Sequence, residues 1–215
     1  MQVPARLQII LAHNSPQALV IRRGPSRYTA VIGWDRKTDT FQVGQWLKGK
    51  IVDADISPNG RYWIYTAMSS KGWQTWTAIA YVPYLKAVDF YRTDGYWSAN
   101  GRFASDKEYY FGVQPDLEIT ERRKNSQLSL IPAPDEWYDE TMKRQGWEKV
   151  VWARGHFTLT KRINNQWNLV YCYQSDKGHY QLRNIKNKRE IVMTDWEHAD
   201  VDGNRLVWST KGLIM

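Results

Sequence analysis

From residue 7 onward the chain alternates between short apolar runs and compact polar breaks, and the alternation continues almost to the last residue. It is clearest between Ile51 and Gly95. In residues 51–56, Val52, Ala54 and Ile56 fall on one face and Asp53 and Asp55 on the other, the period of two that marks a half-buried strand. Ser57-Pro58-Asn59-Gly60 turns the chain into residues 61–67, where Tyr62-Trp63-Ile64-Tyr65 has no polar face and calls for cover on both sides. A second break at 68–72 leads to 76–82, and Pro83-Tyr84 leads to 87–92. The spacing predicts one four-stranded antiparallel meander.

The same rhythm recurs. Residues 7–11, 18–23, 28–34 and 40–47 make a first unit; 105–111, 117–121 and 127–131 a third; 149–153, 157–162, 167–174 and 179–185 a fourth. A fifth, 195–201 and 205–209, stops about one strand short. First hairpins recur about every 42–49 residues, the length of four strands of five or six residues with short connections. One segment, 132–146, breaks the pattern: residues 135–144 run from acidic to basic and end near Gly146, the order that complements a helix dipole and its C-cap. A lone four-stranded sheet leaves two apolar faces bare, whereas sheets stacked in a ring bury both. The expectation is therefore an all-β, five-bladed β-propeller spanning 1–215 as one domain. Its repeats run near 7–48, 51–93, 101–131, 147–185 and 191–215, with one short helix near 135–144. The N-terminal strand, from Gln2-Val3 or 7–11, would pair with the C-terminal strands to close the ring.

The hairpin Ser57-Pro58-Asn59-Gly60-Arg61-Tyr62, followed by an aromatic strand, resembles the first hairpin of TolB-type and WD-repeat β-propellers. Asp200 through Trp208 is a looser match, and Trp34-Asp35 is a single Trp-Asp dipeptide without an accompanying Gly-His. The resemblance implies a fold and carries no activity with it.

Composition narrows the partners only a little. Thirty basic against 22 acidic residues give a net charge of +8, which admits nucleic acid or acidic proteins as partners. The basic groups Arg22-Arg23, Arg122-Arg123-Lys124 and 186–189 are short and separated, as on a solvated surface. Cys172 is the single cysteine, so neither an internal disulfide nor a cysteine-based zinc site can be built; this points to a reducing, cytoplasmic setting. The apolar run at 7–12 is too short for a secretory core or a membrane span, so no membrane insertion is expected.

Candidate chemistry sits where the units are joined. If the long connections 94–101, 132–146 and 186–195 share a face, Tyr96, Trp97, Trp137, Tyr138 and Trp196 form an aromatic platform there, beside His198; the alternative is that these rings fold back onto the sheets. Asp53, Asp55, Asp195 and Glu197 are candidate channel carboxylates, since paired acids serve glycoside hydrolysis. In a strand, however, His198 and Asp200 point away from Asp195 and Glu197, so the run does not converge on a metal. No phosphate loop, dinucleotide fingerprint or zinc-protease pattern is present, and no cofactor or metal is expected. The leading expectation is a non-enzymatic scaffold that binds a protein or peptide. Carbohydrate binding or a small glycosidase stands second, and nucleic-acid binding third.

Overall fold

Most of the apolar segments become strands in the computed structural model, which describes residues 4–70, 75–93, 100–112, 119–153, 155–175 and 177–215. Among these residues the protein is all-β with one helix. Two compact units form: residues 4–5 with 10–137, and residues 6–9 with 138–215.

The first unit contains the last two residues of β1 (Arg6–Leu11), then β2 (Gln17–Arg23), β3 (Tyr28–Asp35), β4 (Thr40–Ile56), β5 (Tyr62–Ser69), β6 (Thr75–Tyr81), β7 (Ala87–Thr93), β8 (Gly101–Phe103), β9 (Glu108–Phe111), β10 (Ile119–Lys124) and β11 (Ser129–Leu130). An eight-stranded sheet runs β1-β2-β3-β4-β5-β6-β7-β10, and a three-stranded one runs β11-β9-β8. Neither closes on itself.

The strand with no polar face lies mid-sheet, as its composition requires. Trp63, Tyr65 and Ala67 of β5 enter one core with Leu19, Ile21, Val31 and Ile51, while Ile64 enters another with Ile79, Tyr91, Phe103 and Tyr109. The polar tips in this core are used: the Trp63 indole donates to the Tyr84 carbonyl (2.7 Å) and the Tyr65 hydroxyl to the Leu85 carbonyl (2.8 Å). A side chain of this size contributes about 1.5–3 kcal/mol when fully buried.

Two departures from the sequence pattern arise from pairing between strands. The runs at 40–47 and 51–56 join into the single strand β4, which pairs with β3 as far as Lys48 and with β5 from Gly49 onward. Residues 48–50 hold no proline and no run of turn formers, so the ladder continues through them. Gly49 permits the change of partner, because a Cβ there would lie 2.3 Å from the Met68 carbonyl oxygen. The second departure is β10, expected to help complete the third unit at 117–121. It pairs instead with β7, antiparallel, setting Arg122 opposite Tyr91, Arg123 opposite Phe90 and Lys124 opposite Asp89. The guanidinium groups of Arg122 and Arg123 lie 5.6 and 4.5 Å from the centres of the Tyr91 and Phe90 rings, and Lys124 approaches the fully buried Asp89 at 3.6 Å. Three cations thus find aromatic or acidic partners on one strand.

In the second unit, α1 (Trp137–Arg144, from Tyr138 onward) precedes β12 (Glu148–Ala153), β13 (His156–Arg162), β14 (Trp167–Gln174), β15 (Lys177–Asn184) and β16 (Glu190–Met193), a five-stranded antiparallel sheet in chain order. A three-stranded sheet follows, of β17 (His198–Asp202), β18 (Arg205–Thr210) and β19 (Leu213–Ile214). The acidic-to-basic run is helical as its charge order predicts, with Asp139 and Glu140 in the first turn and Lys143 and Arg144 in the last. The connection expected at 186–195 holds the extra strand β16, whose Ile191 and Val192 supply β-branched residues at a sheet edge. Residues 6–9 belong to this unit: the Leu7 amide donates to the Glu197 carboxylate (3.3 Å), and the Leu7 carbonyl accepts the Ser209 hydroxyl (2.7 Å). The core gathers Trp147, Leu159, Leu169, Tyr180, Ala199 and Val201. Among the described residues, no helix is long and apolar enough to cross a membrane.

Candidate functional site

Both candidate carboxylates of the first unit are engaged with β8. The Arg102 guanidinium grips Asp53 with two hydrogen bonds (2.5 and 2.9 Å), and the Asp55 carboxylate accepts the Phe103 amide (2.9 Å) while 1% exposed. Burial works against the charge on Arg102, but the Asp53 carboxylate and its hydrogen bonds prevail and hold the guanidinium pKa above its ordinary value. The aspartates that share a face of β4 thus clamp one sheet to the other within this unit.

In the second unit, Asp195 lies in an exposed turn before β17 and approaches Lys211 at 3.6 Å. Glu197 accepts the Leu7 amide. His198 opens β17 and is half-buried, its Nδ1 atom lacking a hydrogen-bond partner. Burial pushes its pKa below the usual histidine value; Asp200 opposes the shift and Lys161 adds to it. Lys161 and Asp200 themselves form a largely buried ion pair at 2.6 Å. Among the described residues no group of three or more His, Cys, Asp or Glu is placed to hold a metal ion.

Of the predicted aromatic platform, Tyr96 and Trp97 lie outside the described residues. Trp137 belongs to the first unit, with the Arg102 guanidinium 5.7 Å from its ring centre. It packs so closely on Gly112 that a Cβ there would lie 2.7 Å from the indole. Tyr138 and Trp196 belong to the second unit. Trp196 stacks on Trp208 (centroids 5.0 Å, planes at 18°) at the edge of the core. Tyr138 meets Trp152 (5.5 Å) and Phe157 (6.3 Å).

Those last contacts lead to an aromatic surface that loop-centred reasoning passes over. Trp152, Phe157 and Tyr173 are direct cross-strand neighbours on β12, β13 and β14. Their rings form a continuous stack, 5.1 Å apart at 26° and then 4.9 Å apart at 18°. The tight β12–β13 hairpin makes Trp152 and Phe157 face one another, a pairing the sequence offers through the turn at Gly155. Gly178 follows Tyr173 in the row, and a Cβ there would collide with the Tyr171 hydroxyl, 2.1 Å away. The stack reaches solvent at β12, an edge strand exposed at all six residues, including Val150, Val151 and Trp152 (52% exposed). Lys149 steadies this end: its ammonium group lies 4.9 Å from the Trp152 ring centre and pairs with Asp139.

No protein-family model matches the chain, and no curated protein matches it. Among solved structures, the acylaminoacyl peptidase of Pyrococcus horikoshii aligns over 96% of this chain and 43% of its own, with 8% identity and a TM-score of 0.26. The chain therefore spans less than half of that enzyme's length, and a likeness this faint bears on neither fold nor activity.

Proposed function

We propose that this protein is a non-enzymatic β scaffold of propeller type that captures an extended peptide segment of a partner protein along β12. One observation carries the reading: an edge strand exposed along its whole length, bearing Val150, Val151 and Trp152, lies beside the stack of Trp152, Phe157 and Tyr173. An unpaired strand edge offers main-chain donors and acceptors to an added strand, and flanking aromatic rings hold alternate side chains of the incoming segment. The engagement of Asp53 and Asp55 with β8 favours this over carboxylate chemistry in the first unit. The use of Arg122, Arg123 and Lys124 within the fold leaves the basic surface less suited to nucleic acid. The five-bladed ring is part of the proposal. Its support is the succession of antiparallel meanders and the two hydrogen bonds by which Leu7 joins the C-terminal strands.

The test is selection from a displayed peptide library on the full chain, followed by titration of enriched peptides. Trp152→Ala combined with Val150→Lys should weaken binding at least about tenfold, close to 1.4 kcal/mol, with the melting temperature preserved. Failure to enrich any peptide, or equal affinity for the substituted protein, removes the reading.

A further inference from the structure

Two sequence features remain without a use, the Trp34-Asp35 dipeptide and the Asn59-Gly60-Arg61 hairpin, and the first unit brings them to the walls of one cleft. Its volume is about 510 Å³, and Phe41, Gln42 and Tyr81 also line it. That lies within the ~300–1,000 Å³ of small-molecule sites.

Each wall is set by the local fold. The Trp34 indole donates to Asp39 (3.2 Å) and stacks with Phe41, centroids 5.6 Å apart and planes at 14°, and Phe41 remains 53% exposed. Opposite chemistry comes from the hairpin. The Ser57 hydroxyl accepts the Tyr62 amide and donates to the Asn59 side-chain oxygen, which also accepts the Arg61 amide, all at 2.9 Å. Gly60 takes the left-handed conformation (φ 71°) and packs so close to Gln17 that a Cβ would lie 2.5 Å from it. These constraints project Arg61 over the rings of Tyr62 and Tyr81, 5.3 and 5.6 Å from their centres. No carboxylate pairs with this guanidinium among the described residues. The Tyr62 hydroxyl donates to that of Tyr81 (3.2 Å); this bond, with the nearby Arg61, lowers the Tyr81 phenol pKa. Asp35, the acidic member of the lining, is occupied by its own turn, accepting the amides of Lys37 (2.9 Å) and Thr38 (3.4 Å).

We infer that this cleft binds a sugar bearing a carboxylate, a uronic acid unit, with the carboxylate on Arg61 and Tyr81 and the ring face against Phe41. A guanidinium without an acidic partner is suited to a carboxylate, which it can grip through paired, charge-assisted hydrogen bonds. An exposed aromatic face takes the apolar side of a pyranose ring. The Gln42 amide nitrogen donates to the Tyr84 hydroxyl (3.1 Å) and the Asn59 oxygen is taken by the hairpin, so the Gln42 oxygen and the Asn59 nitrogen are the atoms suited to hydroxyl groups, which a uronate supplies and an aromatic carboxylate lacks. The site shares no residue with the β12 edge, so it stands or falls apart from peptide capture.

Titration of the full chain with glucuronate, glucose and benzoate, followed by calorimetry and tryptophan fluorescence, tests the assignment. Glucuronate should bind about tenfold more tightly than glucose, which lacks the carboxylate, and more tightly than benzoate, which lacks the hydroxyls. Arg61→Gln should weaken glucuronate about tenfold and leave glucose unchanged, while Phe41→Ala should weaken both sugars. Melting temperatures of both variants serve as the folding control. No saturable glucuronate signal, equal affinity for glucose, benzoate binding as tightly as glucuronate, or an Arg61→Gln protein with intact glucuronate affinity each overturns the assignment.

Discussion

β5 and β12 both carry β-branched and aromatic residues and meet opposite fates, although β12 also opens with the charged pair Glu148-Lys149. β5 carries Tyr62, Trp63, Ile64 and Tyr65 between β4 and β6, with Trp63 and Ile64 fully buried in two different cores. β12 carries Val150, Val151 and Trp152 with β13 on one side only, and every one of its residues is exposed. The number of neighbours, together with the charges at the start of β12, decides which becomes core and which becomes surface. An apolar strand given two neighbours and two covered faces stabilises the fold, whereas one given a single neighbour leaves its edge available to another chain.

The contrast is broken most forcefully at its buried end. Trp63→Ala should cost about 3–5 kcal/mol and lower the melting temperature by several degrees per kcal/mol lost, as followed by calorimetry. Arg102→Ala should cost about 3 kcal/mol, because Asp53 is left half-buried beside Asp55 without its cation. The double replacement Asp53→Leu with Arg102→Met should recover much of that loss in chemical denaturation, which separates an uncompensated charge from lost packing. Phe157→Ala, in the half-buried middle of the stack, should cost about 1–2 kcal/mol, whereas Trp152→Ala at its open end should change stability by less than about 0.5 kcal/mol. A loss at Trp152 as large as the one expected at Phe157 would show that the stack is core to its open end. The smallest effect concerns pH. Burial lowers the His198 pKa, so the folded state disfavours the proton that the unfolded chain accepts at an ordinary value near 6.5. The stability held by the neutral ring is complete above that value and falls away as pH drops through 6.5 towards the folded pKa. His198→Asn should flatten this slope between pH 7.5 and 5.5 in thermal melts.

Much of the strand order was legible, for reasons that differ along the chain. The meander from 51 to 92 reads directly because its turns hold Pro58-Asn59-Gly60 and Pro83, and because alternation is clear from Asp53 to Ile56, past the bulge between Ile51 and Asp53. The helix reads from the order of its charges alone. What stayed hidden depends on partners distant in sequence. Nothing local in 119–124 says that three cations will lie along β7, and nothing in 40–56 says that one strand will serve two neighbours. The candidate site was less legible still. Loop tryptophans attract attention through exposure inferred from their surroundings, yet Trp137 is packed on Gly112 and Trp196 on Trp208. The stacked rings of β12–β14, exposed at Trp152 and half-buried at Phe157 and Tyr173, each look like ordinary strand residues until the register sets them side by side. Asp53 and Asp55 share a face as their spacing states, but only the arrival of β8 shows that the face is already taken.

The unbroken course of β4 bears on how this molecule can be divided. The repeat rhythm suggests a seam between the first meander and the second at residues 48–50, where an engineer would cut, duplicate or permute. At that point, however, the chain is midway along a hydrogen-bonded strand, with β3 holding one half and β5 the other. A nick there opens two ladders together, and an inserted segment would have to emerge against the Met68 carbonyl. Within this unit, the smallest piece able to be exchanged intact is therefore larger than one repeat.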